Sequence, residues 1–182
     1  MKHTPKILFS FIGLLLFPTL AWSGPDDFHP GPVFANFGNI ADVEVTMPVP
    51  EGTVFRVSFD LASRADDGEM NRNLLSAARF INMHVAHGVP LSDLNLALVI
   101  HGSAVKDVTV DEHYTPLYDH PNANAELIAA LTSHGVRIIV CGQSAAYNEV
   151  SNDDLLPGVE MALSAMTAHA LLQQDGYSIN PF

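Results

Sequence analysis

The chain of 182 residues is acidic, with 20 Asp and Glu against 8 Lys and Arg and a formal net charge of −12 at pH 7. Repulsion between like charges argues against nucleic acid and anionic membrane surfaces as partners. The length suits a single domain, and hydrophobic residues make up 48% of the chain.

The first 23 residues have the pattern of a secretory signal peptide. Met1–Lys6 is a short basic segment, Ile7–Leu20 is almost continuously apolar, and Ala21–Ser23 offers small residues for cleavage. The apolar run is shorter than the roughly 20 residues of a transmembrane helix. We therefore predict a signal peptide over residues 1–23, a periplasmic or secreted protein, and no membrane anchor after cleavage.

The next segment, residues 24–52, is rich in proline, glycine and aspartate and predicts an extended N-terminal arm over the domain or a neighbouring subunit. The domain itself is expected over residues 53–182. Thr53–Phe59 is rich in β-branched and aromatic residues and predicts a strand. Apolar residues at steps of three and four predict a helix over Glu69–His87.

Two further strands and two helices follow in alternation. Asn95–Ile100 and Val136–Val140 are short apolar runs that predict strands, and a polar loop with Tyr114 and Tyr118 follows the first of them. Helices are predicted over Ala125–His134, capped by an asparagine, and over Val159–Gln173, and the last residues can add a strand. The alternation predicts a single small α/β domain with a central, mostly parallel sheet and helices on both faces.

Cys141 is the only cysteine, and it follows the third predicted strand directly, where a helix is expected to begin. Unpaired N–H groups and the partial positive charge at a helix start favour a thiolate. A lone cysteine can also be a buried residue that only fills space. The sequence leaves both interpretations open.

Other candidate site residues lie close to Cys141 in the predicted fold. His101 ends the second strand, so it can share a rim with Cys141 and stabilise the thiolate or transfer a proton, or it can simply bond a carbonyl group. Gly142 permits a close approach of the backbone to the sulfur, and Gln143 and Ser144 can cap the following helix or bind a substrate. The candidate binding residues are Gly142, Gln143, Ser144 and Tyr147.

A metal site is a weaker hypothesis. His84 and His87 share a predicted helix face, and His113 and His120 flank an acidic loop. The chain has neither an HExxH motif nor paired cysteines, so a full ligand set is missing. We predict no metal and no cofactor.

Several segments of the chain have a familiar pattern: Val99–Gly102, Pro121–Leu127 with Leu131 and Gly135, Val136–Ser144, and Leu155–Met166. They resemble the DsrE/DsrF-like sulfur-relay family over about residues 53–182, and the last segment resembles the exported branch of that family. It implies a small α/β fold, homo- or hetero-oligomers, and a cysteine at position 141 that accepts sulfane sulfur as a persulfide. This chain departs from the family in its export signal and in Tyr147–Glu149, which replaces residues that are often basic.

The leading hypothesis is an exported sulfurtransferase or sulfur carrier that acts through Cys141 with help from His101. Its expected partners are further copies of the chain and a protein that donates or accepts sulfur. The alternative is a non-catalytic oligomeric module that binds a small molecule or protein and has a structural cysteine. A metal or redox sensor that uses the histidines is a third possibility.

Overall fold

The computed structural model describes residues 24–181, so the predicted signal peptide lies outside the described residues. The described part contains five strands and five α-helices. The strands are β1 (Phe55–Leu61), β2 (Leu94–Ile100), β3 (Arg137–Cys141), β4 (Val159–Ala162) and β5 (Ser178–Asn180). The helices are α1 (Arg72–Ala86), α2 (Asp111–Tyr118), α3 (Ala125–Ser133), α4 (Gly142–Tyr147) and α5 (Ala165–Gln174).

The five strands form one sheet in the order β4-β3-β2-β1-β5, and every neighbouring pair is parallel. Successive side chains of a strand point to opposite faces, so each apolar strand contributes to two cores. On one face, Ala97, Val99 and Ile139 pack with Ala168 and Leu172 of α5. The opposite face packs with α1 and α3 in the larger core. This arrangement confirms the predicted α/β fold with helices on both faces.

The predicted helix over residues 159–173 is wrong in its first part. Val159–Ala162 forms β4, which extends the sheet by pairing with β3, and α5 begins only at Ala165. Ser164 is the N-cap of α5, because its hydroxyl accepts a hydrogen bond from the Thr167 N–H. Leu163 and Met166, which lie within the predicted helix, are 72% and 80% exposed. Pairing with a neighbouring strand outweighed the local helical spacing.

Residues 102–118, predicted as a polar loop, are mostly helical. A 3-10 helix covers Gly102–Val108, and α2 follows with the fully buried Tyr114 on its inner side. The N-cap of α2 is Val110, whose side chain makes no capping bond, and Pro116 lies inside the helix. These residues are atypical of helices, so the sequence carried little signal for α2.

The N-terminal segment, residues 24–52, is attached to α1 by one buried side-chain amide, that of Asn82. The Asn82 side chain donates to the carbonyl groups of Phe34, Phe37 and Gly38 at 3.0 to 3.1 Å. Its oxygen accepts from the N–H groups of Val33 and Phe34.

Within residues 24–181, no helix is long and apolar enough to cross a membrane.

Candidate functional site

Cys141 is the last residue of β3 and the N-cap of α4, and it is only 5% exposed. Its sulfur accepts a hydrogen bond from the Ser144 N–H at 3.5 Å. The strand therefore ends on the thiol, as the sequence predicted, and the cap of the next helix is the cysteine itself. Neither Gln143 nor Ser144 has the capping position that was considered for them.

Ser144 links Cys141 to the end of β2. The Ser144 hydroxyl oxygen accepts a hydrogen bond from the Gly102 N–H at 3.0 Å, so its own proton is available to the cysteine sulfur. Gly102 has a φ of +57°, and an added Cβ would lie 2.6 Å from the Ala62 carbonyl oxygen. The turn after β2 therefore requires a glycine, and this turn directs its N–H at Ser144.

The surroundings of Cys141 favour its thiolate. Burial raises the pKa of the thiol, but hydrogen bonds from the Ser144 hydroxyl and from the N–H groups of Ser144, Ala165 and Gln143 lower it. The net result is a pKa below the ordinary value for cysteine. Although the sulfur is nearly buried, several of its neighbours are hydrogen-bond donors, which can stabilise a negative charge.

A groove of about 320 Å³ lies along α4, and Cys141 is not among the residues that line it. Three of the predicted binding residues, Gln143, Ser144 and Tyr147, contribute to its wall, which consists of Gly102, Ser103, Gln143, Ser144, Tyr147 and Asn148. Gly142 is not part of this wall. It packs against β4 instead, where an added Cβ would lie 2.7 Å from the Ala162 carbonyl oxygen. The groove can admit a small ligand or a side chain of another protein.

His101 shares the rim with Cys141, as the sequence analysis expected. Ile100 pairs with Val140, and His101 and Cys141 are the next residues of these two strands. The His101 N–H continues the ladder by donating to Leu61 at 2.8 Å. Within residues 24–181, however, the hydrogen-bond partner of the His101 ring is Asp60, at 3.2 Å, and not the cysteine.

The comparisons with known proteins identify the family. The model of the DsrE/DsrF-like family matches residues 57–181, which is more than half of the chain. The chain belongs to the DsrE/DsrF-like family. Membership in this family indicates a role related to sulfur relay.

Two solved structures share the DsrE-like fold. A protein of unknown function, MTH1491 from Methanobacterium thermoautotrophicum, is 20% identical with a TM-score of 0.53, and the match covers 70% of this chain and 99% of that one. The ychN protein from E. coli is 15% identical with a TM-score of 0.52, and the match covers 71% and 100% of the two chains. At these identities the likeness concerns the fold alone. No curated protein matches the chain.

The DsrE/DsrF-like domain also holds two site residues that the sequence analysis missed. Asp60, near the end of β1, accepts from Nε2 of His169 at 2.8 Å as well as from Nε2 of His101. Burial raises the pKa of Asp60, but the bonds from His169 and His101 lower it below its ordinary value. The sequence did carry a signal for Asp60, because it lies near the end of a strand as Cys141 does. His169 lay in a helix whose start was misplaced, and its contact lies 109 residues away.

The other histidines do not form a metal centre in the described part of the chain. His84 bonds to the Phe80 carbonyl group and stacks on its ring, and His87 bonds to Met83. Across residues 24–181, no group of three or more His, Cys, Asp or Glu side chains is arranged to hold a metal ion. At Asp60, the two imidazoles are instead hydrogen-bonded to the carboxylate.

Proposed function

We propose that this protein carries sulfane sulfur as a persulfide on Cys141. The observation that supports this proposal is the Cys141 sulfur, which accepts a hydrogen bond from the Ser144 N–H at 3.5 Å and lies among donors that lower its pKa. A thiolate is the nucleophilic form of cysteine, so lowering the pKa increases the reactive fraction at neutral pH. Family membership provides the second support, since it indicates a role related to sulfur relay.

The proposed reaction needs no oxidant. The Cys141 thiolate attacks the outer sulfur of a donor RS–SH, a new S–S bond forms, and the donor's S–S bond breaks. The leaving thiolate RS⁻ takes the bonding electron pair and then a proton, which yields RSH and the Cys141 persulfide. Delivery repeats the exchange with an acceptor thiolate, which attacks the outer sulfur of the Cys141 persulfide. The donors around Sγ then stabilise the thiolate of Cys141 that is released.

The residues around the sulfur have distinct proposed roles. His101, on the neighbouring strand, supplies the proton to the leaving thiolate. Gln143, Ser144 and Tyr147 line the groove in which the donor or acceptor binds, next to the N-terminal turn of α4 that Cys141 caps. A groove of about 320 Å³ suits a small thiol or a cysteine-bearing segment of a partner protein. Gly142 keeps β4 close to the site.

The same proposal includes the cellular setting. The signal-like pattern over residues 1–23 supports export to the periplasm or secretion. Cys141 is the single cysteine of the chain, so every donor and acceptor thiol must come from another molecule. A second copy of the chain or a dedicated partner protein meets this requirement.

Mass spectrometry of the native protein tests the proposal. After treatment with polysulfide or thiosulfate, we expect Cys141 to gain one sulfur atom, and a reductant to remove it. Cys141→Ser should abolish the adduct completely, and no second cysteine can take its place. If the native protein stays unmodified and only the unfolded chain reacts, the proposal is wrong.

The low exposure of Cys141 favours a second candidate function. A sulfur atom in a residue that is 5% exposed can be structural, and the groove would then bind a ligand or a partner without sulfur chemistry. Titration of the native thiol separates the two functions. Fast labelling with a lowered pKa supports sulfur carriage, and slow labelling supports the binding module.

A further inference from the structure

One carboxylate at the rim of the sheet binds two imidazoles. Nε2 of His169 lies 2.8 Å from Oδ1 of Asp60, and Nε2 of His101 lies 3.2 Å from the same carboxylate. An ionised carboxylate can only accept, so both Nε2 atoms carry their hydrogens. Nδ1 of His169 lies 3.3 Å from the Ser58 hydroxyl, which can donate to it. The cluster therefore has a defined set of donors and acceptors.

The cluster and Cys141 lie on the same face of the sheet. Val99 and Ile139 pair with each other and pack against α5. Cys141, at the end of β3, and His101, which follows β2 in an extended conformation, each lie two residues further along. Alternation along a strand places residues two apart on one face. Neighbouring strands lie about 4.8 Å apart, so His101 occupies the backbone position next to Cys141, and its ring is bonded to Asp60 of β1.

We propose that Asp60, His101 and His169 form a proton relay for sulfur transfer at Cys141, an inference that rests on the proposed function. His101 is the catalytic member, and Asp60 and His169 are positioning residues. Asp60 occupies Nε2 of His101, which leaves Nδ1 as the ring atom that exchanges a proton. His169 holds the carboxylate from its other side and connects it to Ser58 of β1.

The proton balance of the relay is closed. When the Cys141 thiolate attacks RS–SH, the immediate products are Cys141–S–SH and RS⁻. The His101 imidazolium gives its Nδ1 proton to RS⁻, and the neutral ring then takes the proton of the Cys141 persulfide. The net change converts RS–SH and a thiolate into RSH and a persulfide anion, and His101 returns to its starting form.

The relay also accounts for the second imidazole on Asp60, that of His101, which packing alone does not require. Asp60 and His101 remain partly exposed, whereas the mostly buried His169 is the member that fixes the carboxylate. A purely structural bond between α5 and β1 needs His169 and Asp60 only. His101 adds a second imidazole to the same carboxylate on the strand next to the thiol.

Two probes with different leaving groups test the relay. Glutathione persulfide releases a basic alkyl thiolate, which leaves poorly without a proton, whereas 5,5′-dithiobis(2-nitrobenzoate) releases an aryl thiolate that is stable without one. Asp60→Asn and His169→Gln should slow the persulfide reaction about tenfold, and His101→Gln about 100-fold, in the range of general acid catalysis. All three should change the aryl disulfide rate by less than about twofold, since it depends on the thiolate alone.

His113→Gln is the matched control, because His113 also lies beside a carboxylate, that of Asp154, at 3.5 Å. It should leave both rates unchanged. If the relay variants lose both rates equally, or neither, then the cluster is structural and the relay is wrong while sulfur carriage stands. If the wild-type protein reacts with the aryl disulfide but takes no sulfur from the persulfide, then the proposed function is wrong and the relay with it.

Discussion

Cys141, at the end of β3, and Asp107, in the 3-10 helix that follows the neighbouring strand β2, are both buried. Their pKa values nevertheless shift in opposite directions. Cys141 is 5% exposed and Asp107 is 1% exposed, and burial raises both pKa values. Hydrogen bonds from the Ser144 hydroxyl and three N–H groups reverse the effect at Cys141. At Asp107, bonds from Asn71 and Ala65 reduce it, but the pKa stays above its ordinary value.

The difference lies in how the donors are distributed. Oδ2 of Asp107 accepts from Nδ2 of Asn71 at 2.6 Å and from the Ala65 N–H at 2.9 Å. Oδ1 has no hydrogen-bond partner within residues 24–181. The thiolate charge, in contrast, sits on a single atom, and all the donors converge on it. The number of donors on each charged atom, more than the depth of burial, therefore distinguishes the two sites.

The contrast separates a reactive site from a structural one. Asn71 is the N-cap of α1, and Ala65 belongs to the loop between β1 and α1. Asp107 thus ties this loop to the 3-10 helix after β2 without a need for a full negative charge. The donors around the Cys141 sulfur come from α4 and from Ala165 of α5, and they favour the charged form. We expect substitutions at Asp107 to change stability and substitutions around Cys141 to change reactivity.

The largest effect is expected for Asp107→Ala. It leaves one N–H of the buried Asn71 amide and the Ala65 N–H without their acceptor, while the other N–H of Asn71 keeps its bond to the Ser63 carbonyl group, and this loss costs about 3 kcal/mol of the free energy of unfolding. Urea denaturation measures the change. Asp153→Ala, at an exposed carboxylate, is the control and should stay within about 0.5 kcal/mol of the wild type. An equally small change for Asp107→Ala would contradict its structural role.

Ser144→Ala should have the next largest effect. It removes one hydrogen bond to the sulfur, worth about 1.5 kcal/mol when the acceptor is charged. The thiol pKa should therefore rise, and the thiolate fraction at neutral pH should fall. The pH dependence of the rate of iodoacetamide labelling reports this shift.

Ser133→Ala is the control for this substitution. Ser133 is an exposed serine of α3 whose hydroxyl bonds only locally, to the carbonyl group of Ala130 and the ring of His134. Its removal should leave the labelling profile of Cys141 unchanged. If Ser144→Ala also left the pH dependence of labelling unchanged, the backbone N–H groups alone would stabilise the thiolate.

The sequence predicted the parts of this site that depend on local pattern. Apolar runs defined β2 and β3, and so the positions of His101 and Cys141 at one rim. The sequence could not predict the Asp60–His169 bond, because the two residues are 109 positions apart and come together only when α5 packs on the sheet. It mistook β4 for helix because a short edge strand carries little periodicity of its own.

The smallest effect is expected for Asp107→Asn, and it tests the comparison most directly. The amide oxygen can accept from both Asn71 and Ala65 in place of Oδ2, and the NH₂ group replaces the oxygen that has no partner. The free energy of unfolding at neutral pH should therefore stay equal to that of the wild type or rise by about 1 kcal/mol. Urea denaturation at several pH values measures it.

The pH dependence of this difference has a definite sign. Because the pKa of Asp107 is raised in the folded protein, the folded state binds more protons than the unfolded chain as the pH rises above 3.8, the ordinary pKa of an aspartate. The wild type should therefore lose stability relative to Asp107→Asn as the pH rises from 3.8 through the raised pKa. A gain over the same range would mean that the donors at Asp107 stabilise its charge as those at Cys141 do, and the contrast between the two sites would disappear.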